Sequence, residues 1–211
     1  MIKVEYLTVS GWKTALRGMR NAKNSWHRLD SKYDGESLIS VGPNDLKLML
    51  SLAKAGNSHR KYLRMLHIQM DVTAPLRWWK DYDTYKVATV ANGCSTMHTL
   101  HSKEFTRDMF SHEKYDERGL KQLDSTIEYL NYCREQFLQS DKKDMVWFYR
   151  MIDILPDGFM QKRTLDINYE TALSIIHDRQ HHKQEEFRVF CNILRTMLPY
   201  MDEIYNAAYG K

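Results

Sequence analysis

The sequence lacks the features that place a protein in a membrane or export it across one. It has no apolar run near the roughly 18 residues that a membrane-spanning helix requires. The N-terminal segment, residues 1–9, carries charged side chains among its apolar ones and has no continuous apolar stretch typical of a signal peptide. We therefore expect a cytoplasmic protein with no membrane partner.

Cysteine is also scarce, and its spacing excludes two structural roles. The three cysteines, Cys94, Cys133 and Cys191, are odd in number, lie far apart and form no C-x2-C pair. Neither a zinc site nor a disulfide framework is therefore indicated. A reducing compartment is the natural setting for such a chain.

The chain also lacks a strong excess of positive or negative charge. The 31 basic and 27 acidic residues are mixed along the chain and leave a net charge of +4. This small excess suits attraction of phosphorylated small molecules, but it is too weak and too dispersed to indicate a nucleic-acid partner.

Strands and helices alternate along the chain. Alternating apolar residues predict strands over 2–9, 67–73 and 160–167. Apolar residues at helical spacing predict helices over 11–19, 43–55, 76–82, 116–139, 142–154 and 185–208, the last kinked by Pro199. Residues 20–42 are interpreted mostly as loop, 85–91 as a strand or a strained loop, and Asn92-Gly93 as a turn, while 95–114 has no clear pattern.

The length and the absence of any linker or repeat predict one domain over residues 1–211. Both the α+β and the α/β class agree with the pattern. We favour α+β, with a central sheet flanked by helices.

Residues 155–186 are the most informative stretch. Turn residues at its start lead into the strand over 160–167, and Asn168 is a suitable N-cap for the next helix. Glu170 adds an acid in the first turn, where the helix dipole favours it. The helix ends in a basic cluster of His177, Arg179, His181 and His182. Such an arrangement suits an anionic ligand, and an ordinary amphipathic helix with a solvated basic end is the alternative.

This stretch resembles the C-terminal half of the flavin-dependent thymidylate synthases (ThyX). The shared pattern is L-P-x11-N-x10-R followed by H-x-Q-x-E. It corresponds here to Leu155-Pro156, Asn168, Arg179 and, after a one-residue shift, to His182, Gln184 and Glu186. The resemblance implies the family fold and extends from about residue 44 to residue 205.

The family's R-H-R-x7-S motif is rewritten in this chain. At the matching distance after Ala74-Pro75 the sequence reads Thr84-Tyr85-Lys86, seven residues, and then Cys94. Only Lys86 keeps a positive charge, and Cys94 or the adjacent Ser95 replaces the serine. The family glutamate falls on Asn92, and a phosphate-binding arginine falls on Thr96. Another family arginine falls on Ile152, with Arg150 as the nearest substitute.

Upstream, His59 in Ser58-His59-Arg60-Lys61 matches the histidine that lies beside the flavin in the family. A solvent-exposed surface histidine is the alternative. Arg60, Lys61 and Arg64 are candidates to replace the positive charge lost from the R-H-R motif.

The resemblance implies a reductive methylation of dUMP to dTMP. Methylenetetrahydrofolate would supply the carbon, and FAD, reduced by NADPH, would supply the hydride. The implied substrate-binding residues are Arg179, Lys86, Asn92, Cys94 and Ser95, and the implied cofactor-binding residues are His59, Lys61, Asn168 and His182. The family also implies a homotetramer with shared active sites.

Two other functions fit the rewritten motif. One is a divergent flavoenzyme that modifies another pyrimidine nucleotide. The other is a non-catalytic protein that binds a nucleotide or a flavin on the same scaffold. The Trp78-Trp79 pair either stacks on a flavin or base or packs in the core. His182 and Glu186 have the spacing of metal ligands on a helix, but no third ligand accompanies them, so we expect no metal.

Overall fold

The computed structural model describes residues 1–210 of the chain. These residues form two compact units. Unit 1 consists of Met1–Lys3, Val72–Thr84 and Asn92–Arg163. Unit 2 consists of Val4–Asp71, Tyr85–Ala91 and the residues from Thr164 onward. The assignment of residues 1–211 to a single domain stays a prediction.

Strands and helices alternate as the sequence predicts. The strands are β1 (Lys3–Ser10), β2 (Lys32–Asp34), β3 (Ser37–Ser40), β4 (His67–Pro75), β5 (Thr89–Gly93) and β6 (Met160–Asn168). The helices are α1 (Trp12–Met19), α2 (Pro43–Lys54), α3 (Leu76–Tyr82), α4 (Thr96–Thr99), α5 (Glu117–Gln139), α6 (Met145–Ile154), α7 (Tyr169–Arg179), α8 (Glu185–Met197) and α9 (Met201–Tyr209). None of the helices in residues 1–210 combines the length and the apolar character needed to cross a membrane.

Two sheets are present in this part of the chain. One has four strands in the order β1-β4-β6-β5, and the other is the antiparallel hairpin of β2 and β3. The strands that end near Ala74 and Ile167, β4 and β6, are therefore neighbours in one sheet. The α+β fold class is confirmed.

The core of unit 2 forms on one face of the sheet and on α7. Ile68 and Met70 of β4 are buried while His67 and Gln69, which alternate with them, are exposed, which is the period-two pattern that predicts this strand. On α7 the apolar side chains are buried and pack with α8, through residues that include Leu173, Ile175, Ile176, Phe187 and Phe190. Helix α7 is therefore fixed along most of its length by apolar contacts.

A buried ion pair fixes the first turn of α7. Arg60, only 7% exposed, donates through Nε and Nη2 to the carboxylate of Glu170, at 3.0 and 2.8 Å. Its Nη2 also donates to the hydroxyl of Tyr209 at 3.2 Å, and its guanidinium lies 5.4 Å from the centroid of that ring. Arg60 therefore joins the start of α7 to the end of α9, although the three residues are distant in sequence.

Unit 1 contains a helical hairpin and an aromatic cluster. Helices α5 and α6 enclose buried apolar side chains such as Leu130, Phe137 and Phe148. On α3, Trp78, Trp79 and Tyr82 are almost completely buried and contact one another. The Trp78-Trp79 pair is therefore core packing, and the stacking alternative for this pair is wrong.

Several element boundaries differ from the prediction for local physical reasons. Residues 20–42 contain the β2–β3 hairpin, and Asn92-Gly93 lies in β5 and is not a turn. Helix α6 begins three residues later than predicted because Asp141 and Lys142 have positive φ, and Asp144 caps the helix. The long C-terminal helix is two helices, since the chain is extended at Leu198 and Tyr200 takes a left-handed conformation (φ 61°).

The buried ion pair predicts a large stability effect. We expect Glu170→Ala to lower the free energy of unfolding by about 3–5 kcal/mol, because it leaves the Arg60 charge buried without its partner. Urea unfolding measures this change. The control is Glu117→Ala, which removes an exposed pair with Lys121 and should change stability little. Equal effects of the two substitutions would contradict the role assigned to Arg60–Glu170.

A second stability prediction concerns pH and unit 1. The imidazole of His101 contacts the rings of Phe137 and Phe148, and its buried Nδ1 has no hydrogen-bond partner within residues 1–210. Burial and the nearby Lys142 and Arg134 lower the pKa of His101 below its ordinary value of 6.5. The unfolded chain therefore takes up the proton first, and stability falls as the pH drops below about 6.5.

We expect His101→Phe to reduce this loss, measured as the difference in unfolding free energy between about pH 8 and pH 5. His98→Phe, at an exposed position on α4, is the matched control and should keep the wild-type pH dependence. A His101→Phe protein with the wild-type dependence would show that other groups cause it.

Candidate functional site

Helix α7 begins at the predicted cap. The side-chain oxygen of Asn168 accepts a hydrogen bond from the backbone N–H of Thr171 at 2.9 Å, and Asn168 is buried. This bond satisfies one of the free N–H groups of the first helical turn. The cap predicted from sequence is confirmed, whereas a contact of Asn168 with a flavin stays a prediction.

At the other end of α7, Arg179 is held between two aromatic rings. Its guanidinium carbon lies 5.6 Å from the ring centroid of Tyr85 and 5.3 Å from that of Phe187. Its Nε donates to the Tyr85 hydroxyl at 3.0 Å. Within residues 1–210, no group accepts a hydrogen bond from its terminal nitrogens. A fixed guanidinium with two available NH2 groups suits bidentate binding of oxygen anions.

The segment that carries Tyr85 runs alongside α7. The carbonyl of Val87 accepts from the hydroxyl of Thr171 in the first turn at 3.0 Å, while Tyr85 contacts Arg179 at the last turn. Ala88 has a positive φ of 51°, so the prediction of a strained loop is correct here, and β5 begins one residue later. Lys86 is exposed on this segment.

His182 lies close to Arg179 through a shared neighbour. Its ring is edge-on to Phe187 with the centroids 4.9 Å apart, and its Nδ1 faces the backbone N–H of Gln184 at 3.3 Å. Phe187 therefore contacts both predicted residues. No cluster of three or more metal-ligating side chains occurs in residues 1–210.

His59 and Lys61 are both exposed at the start of the 3₁₀ turn Lys61–Met65 in unit 2. Arg60 between them points its charge into the buried pair with Glu170, so it cannot replace a lost ligand-binding arginine. Arg64 donates to the side chain and to the backbone carbonyl of Asn57. Lys61 is thus the cation of this group that is left for a ligand.

The remaining predicted residues lie in unit 1. Asn92 and Cys94 are exposed, and the backbone of Cys94 pairs with β6 through a 2.9 Å bond to the carbonyl of Lys162. Ser95 precedes α4, and its carbonyl accepts from the backbone N–H of Thr99 at 3.0 Å and from its hydroxyl at 2.7 Å. The structure therefore divides the predicted site residues into two groups, one in each unit.

A cavity of about 360 Å³ opens beside Cys94 in unit 1. Its walls are mainly apolar, with Leu100, Phe105 and Phe159 among them. Its polar lining residues are Cys94, Thr96, Thr99, Ser102, Lys103, Gln161 and Lys162. The size is at the lower end of the range for small-molecule sites.

The positions of the other lost arginines are not cationic. Ile152 packs against the apolar core of unit 1, and Thr96 lines the cavity. Arg150, the nearest substitute for Ile152, lies over the ring of Trp147 at 4.4 Å. Lys103 and Lys162 are instead the cations that line this cavity.

Sequence reasoning missed three residues around Arg179. In the sequence, Tyr85 is visible only as a departure from the R-H-R motif, and no motif marks Phe187 or Asp178. Asp178 precedes Arg179 and contacts the Tyr85 hydroxyl at 3.4 Å. Helical periodicity cannot relate Phe187 to Arg179, because the chain leaves the helix between α7 and α8.

No protein-family model and no curated protein matches the sequence. Solved structures do match. Thymidylate synthase X (ThyX) from Helicobacter pylori, crystallised with FAD and dUMP, aligns with a TM-score of 0.68 and 14% sequence identity, over 99% of this chain and 100% of that one. The UMP/dUMP methylase PolB from Streptomyces cacaoi, bound with 5-Br dUMP, aligns with a TM-score of 0.68 and 15% identity, over 100% and 96% of the two chains. At these identities the likeness shows the fold alone, and that fold is the one of the flavin-dependent thymidylate synthases.

Proposed function

We propose that the protein is a flavin-dependent enzyme that methylates the pyrimidine nucleotide dUMP. The observation that supports this most is Arg179. It is held between two rings at the end of an Asn-capped helix and keeps its terminal nitrogens available, in a chain with the ThyX fold. In this proposal Arg179 binds the nucleotide through charge-assisted hydrogen bonds.

FAD has a flat ring system and an anionic pyrophosphate, and unit 2 contains groups that fit both. Lys61 offers an exposed ammonium, and His59 and His182 offer imidazole rings. In the proposal these residues hold FAD together with Asn168. The bound flavin supplies the hydride, with NADPH as the reductant and methylenetetrahydrofolate as the carbon donor.

The chain itself contributes binding, orientation and electrostatics. Lys86, Asn92, Cys94 and Ser95 contact the substrate in this proposal, Lys86 by its charge and the others by their polar atoms. Arg179 fixes the nucleotide in one orientation, since a guanidinium fork restrains direction as well as distance. Holding the reactants in the right geometry removes much of the entropic cost of a two-substrate reaction.

We further propose a homotetramer in the cytoplasm, with active sites shared between subunits. Support comes from large apolar side chains exposed on α5 and α6. Tyr132, Val146 and Tyr149 are 47%, 53% and 55% exposed. Surfaces of this composition are typical of contacts between chains. Light scattering at micromolar concentration tests the proposal, and a monomer would contradict it.

The rewritten motif favours one alternative, a flavoenzyme of the same fold that modifies another pyrimidine nucleotide. Thr84 and Tyr85 stand where the motif has arginine and histidine, so contacts to the substrate differ from those of the family. A non-catalytic binding protein remains a third possibility. Absorbance spectra of the protein with FAD, recorded with and without dUMP, separate the three. A flavin complex that ignores dUMP favours the second function, and no flavin complex favours the third.

The proposal predicts that Arg179 controls nucleotide affinity. We expect Arg179→Ala to weaken dUMP binding about ten- to more than a hundredfold, because a charge-assisted contact is worth roughly 1.5–3 kcal/mol. Arg179→Lys keeps the charge but loses the fork, so it should give a smaller loss. Isothermal titration with dUMP, and then with other pyrimidine nucleotides, measures the change.

Arg118→Ala is the charge-matched control, since Arg118 is exposed on α5. It should bind dUMP as wild type does. FAD content should change less than dUMP affinity in Arg179→Ala, because the proposed flavin contacts are intact. Equal dUMP affinity of wild type and Arg179→Ala would reject the role of Arg179, and no nucleotide binding by wild type would reject the proposed function.

A further inference from the structure

The hydroxyl of Tyr85 stands between two opposite charges at the end of α7. It accepts a hydrogen bond from Nε of Arg179 at 3.0 Å and lies 3.4 Å from Oδ2 of Asp178. Asp178 and Arg179 are adjacent in the chain and do not share a helix face. The carboxylate and the guanidinium are nevertheless no more than two hydrogen-bond lengths apart, with the phenol between them.

The direction of these hydrogen bonds follows from the atoms involved. A guanidinium N–H only donates, so the Tyr85 oxygen accepts from Arg179. The phenol has one proton, and a carboxylate only accepts, so that proton points to Asp178. Burial raises the pKa of the Tyr85 hydroxyl, which keeps the proton in place. The result is a relay from Arg179 through Tyr85 to Asp178.

The relay has two consequences for Arg179. It occupies Nε, while the rings of Tyr85 and Phe187 restrict the guanidinium plane, so that the two terminal NH2 groups are left for a ligand. It also gives the Asp178 carboxylate a hydrogen-bond donor other than Arg179. Without the hydroxyl, the carboxylate would compete with an anionic ligand for the same guanidinium.

We propose that Tyr85 is a positioning residue that holds Arg179 in a ligand-ready state and keeps the carboxylate of Asp178 away from it. The ligand class is a nucleotide that offers two oxygen acceptors, such as a phosphate, to the terminal nitrogens of Arg179. The inference rests on the proposed function in that it takes Arg179 to bind the nucleotide. The segment is suited to the role, because Thr171 also ties it to the first turn of α7 through the carbonyl of Val87.

A double-substitution experiment tests the proposal. We expect Tyr85→Phe to weaken dUMP binding about three- to tenfold, since it removes the acceptor for Nε and releases Asp178. Adding Asp178→Asn should bring the affinity back to within about twofold of Asp178→Asn alone, because the competing charge is then gone. Loss of structure at Tyr85 would not be repaired by a change at Asp178.

The matched control is Tyr205→Phe. The Tyr205 hydroxyl also accepts from the end of α7, but from Gln180 and not from Arg179. This variant should bind dUMP with wild-type affinity. Full affinity in Tyr85→Phe, or no recovery in the double variant, would overturn the proposal while leaving the proposed function intact.

A readout that needs no nucleotide completes the test. In NMR spectra of the free protein, the Nε–H of Arg179 should exchange slowly with solvent in wild type and in Tyr205→Phe, and rapidly in Tyr85→Phe. Titration with inorganic pyrophosphate, followed on the same side chain, should show the weaker binding of Tyr85→Phe. If wild type binds pyrophosphate but no dUMP, the proposed function fails and the relay stands. If Nε–H exchange is the same in all three proteins, the relay fails.

Discussion

The position of the candidate site depends on one buried interaction, the ion pair between Arg60 and Glu170. Glu170 is in the first turn of α7, and Arg60 belongs to a segment more than a hundred residues earlier in the chain. Burial of either charge alone would cost several kcal/mol, so the two segments stay together or the fold loses stability. The hydroxyl of Tyr209 accepts from the same guanidinium, which adds the end of α9 to this point. Arg179 is thus presented by a helix whose beginning is electrostatically fixed.

The end of α7 is fixed in a different way. Arg179 has no carboxylate partner in the described part of the chain, and aromatic faces and a phenol hold it in place. A carboxylate would neutralise the guanidinium and compete with an anionic ligand. The rings and the hydroxyl restrict the motion of the Arg179 side chain and leave its positive charge without neutralising it. Arg60 and Arg179 are therefore held in opposite ways: the first is neutralised by a carboxylate, and the second keeps the charge that the proposed binding of a nucleotide needs.

Much of α7 is predictable from the sequence. The Asn168 cap, the strand before it and the apolar face are local patterns, and local patterns survive folding when tertiary contacts agree with them. The spacing from Asn168 to Arg179 also places both at the ends of one helix, as observed. These features depend only on residues that are close together in the chain, so the local sequence is sufficient to predict them.

Most of the missed features depend on contacts between distant segments. Arg60 looks like an available surface cation in the sequence, because nothing local shows that Glu170 lies opposite it. The environment of Arg179 includes Tyr85, almost a hundred residues away, so no periodicity reveals it. The Trp78-Trp79 pair is ambiguous for the same reason, since a buried pair and a ligand-facing pair have identical local sequence. The break between α8 and α9 is the exception. Pro199 marks this break locally in the sequence. Because Tyr200 takes a left-handed conformation, the helix ends there completely and is not merely kinked as predicted.

The rewritten motif changes which cations are available to the nucleotide in the proposed function. Three positions that are arginine in the family are Thr84, Thr96 and Ile152 here. Lys86 is exposed, next to Tyr85, whose hydroxyl accepts a hydrogen bond from Arg179. Under the proposed function, the loss of these three positive charges leaves fewer cations to attract the nucleotide, so each remaining one accounts for a larger share of the attraction. Exposed lysines are screened by salt, whereas a half-buried guanidinium between two rings is screened much less. Under the proposed function, the geometry around Arg179 therefore matters more than it would beside several arginines, because fewer other cations can compensate for a misplaced guanidinium.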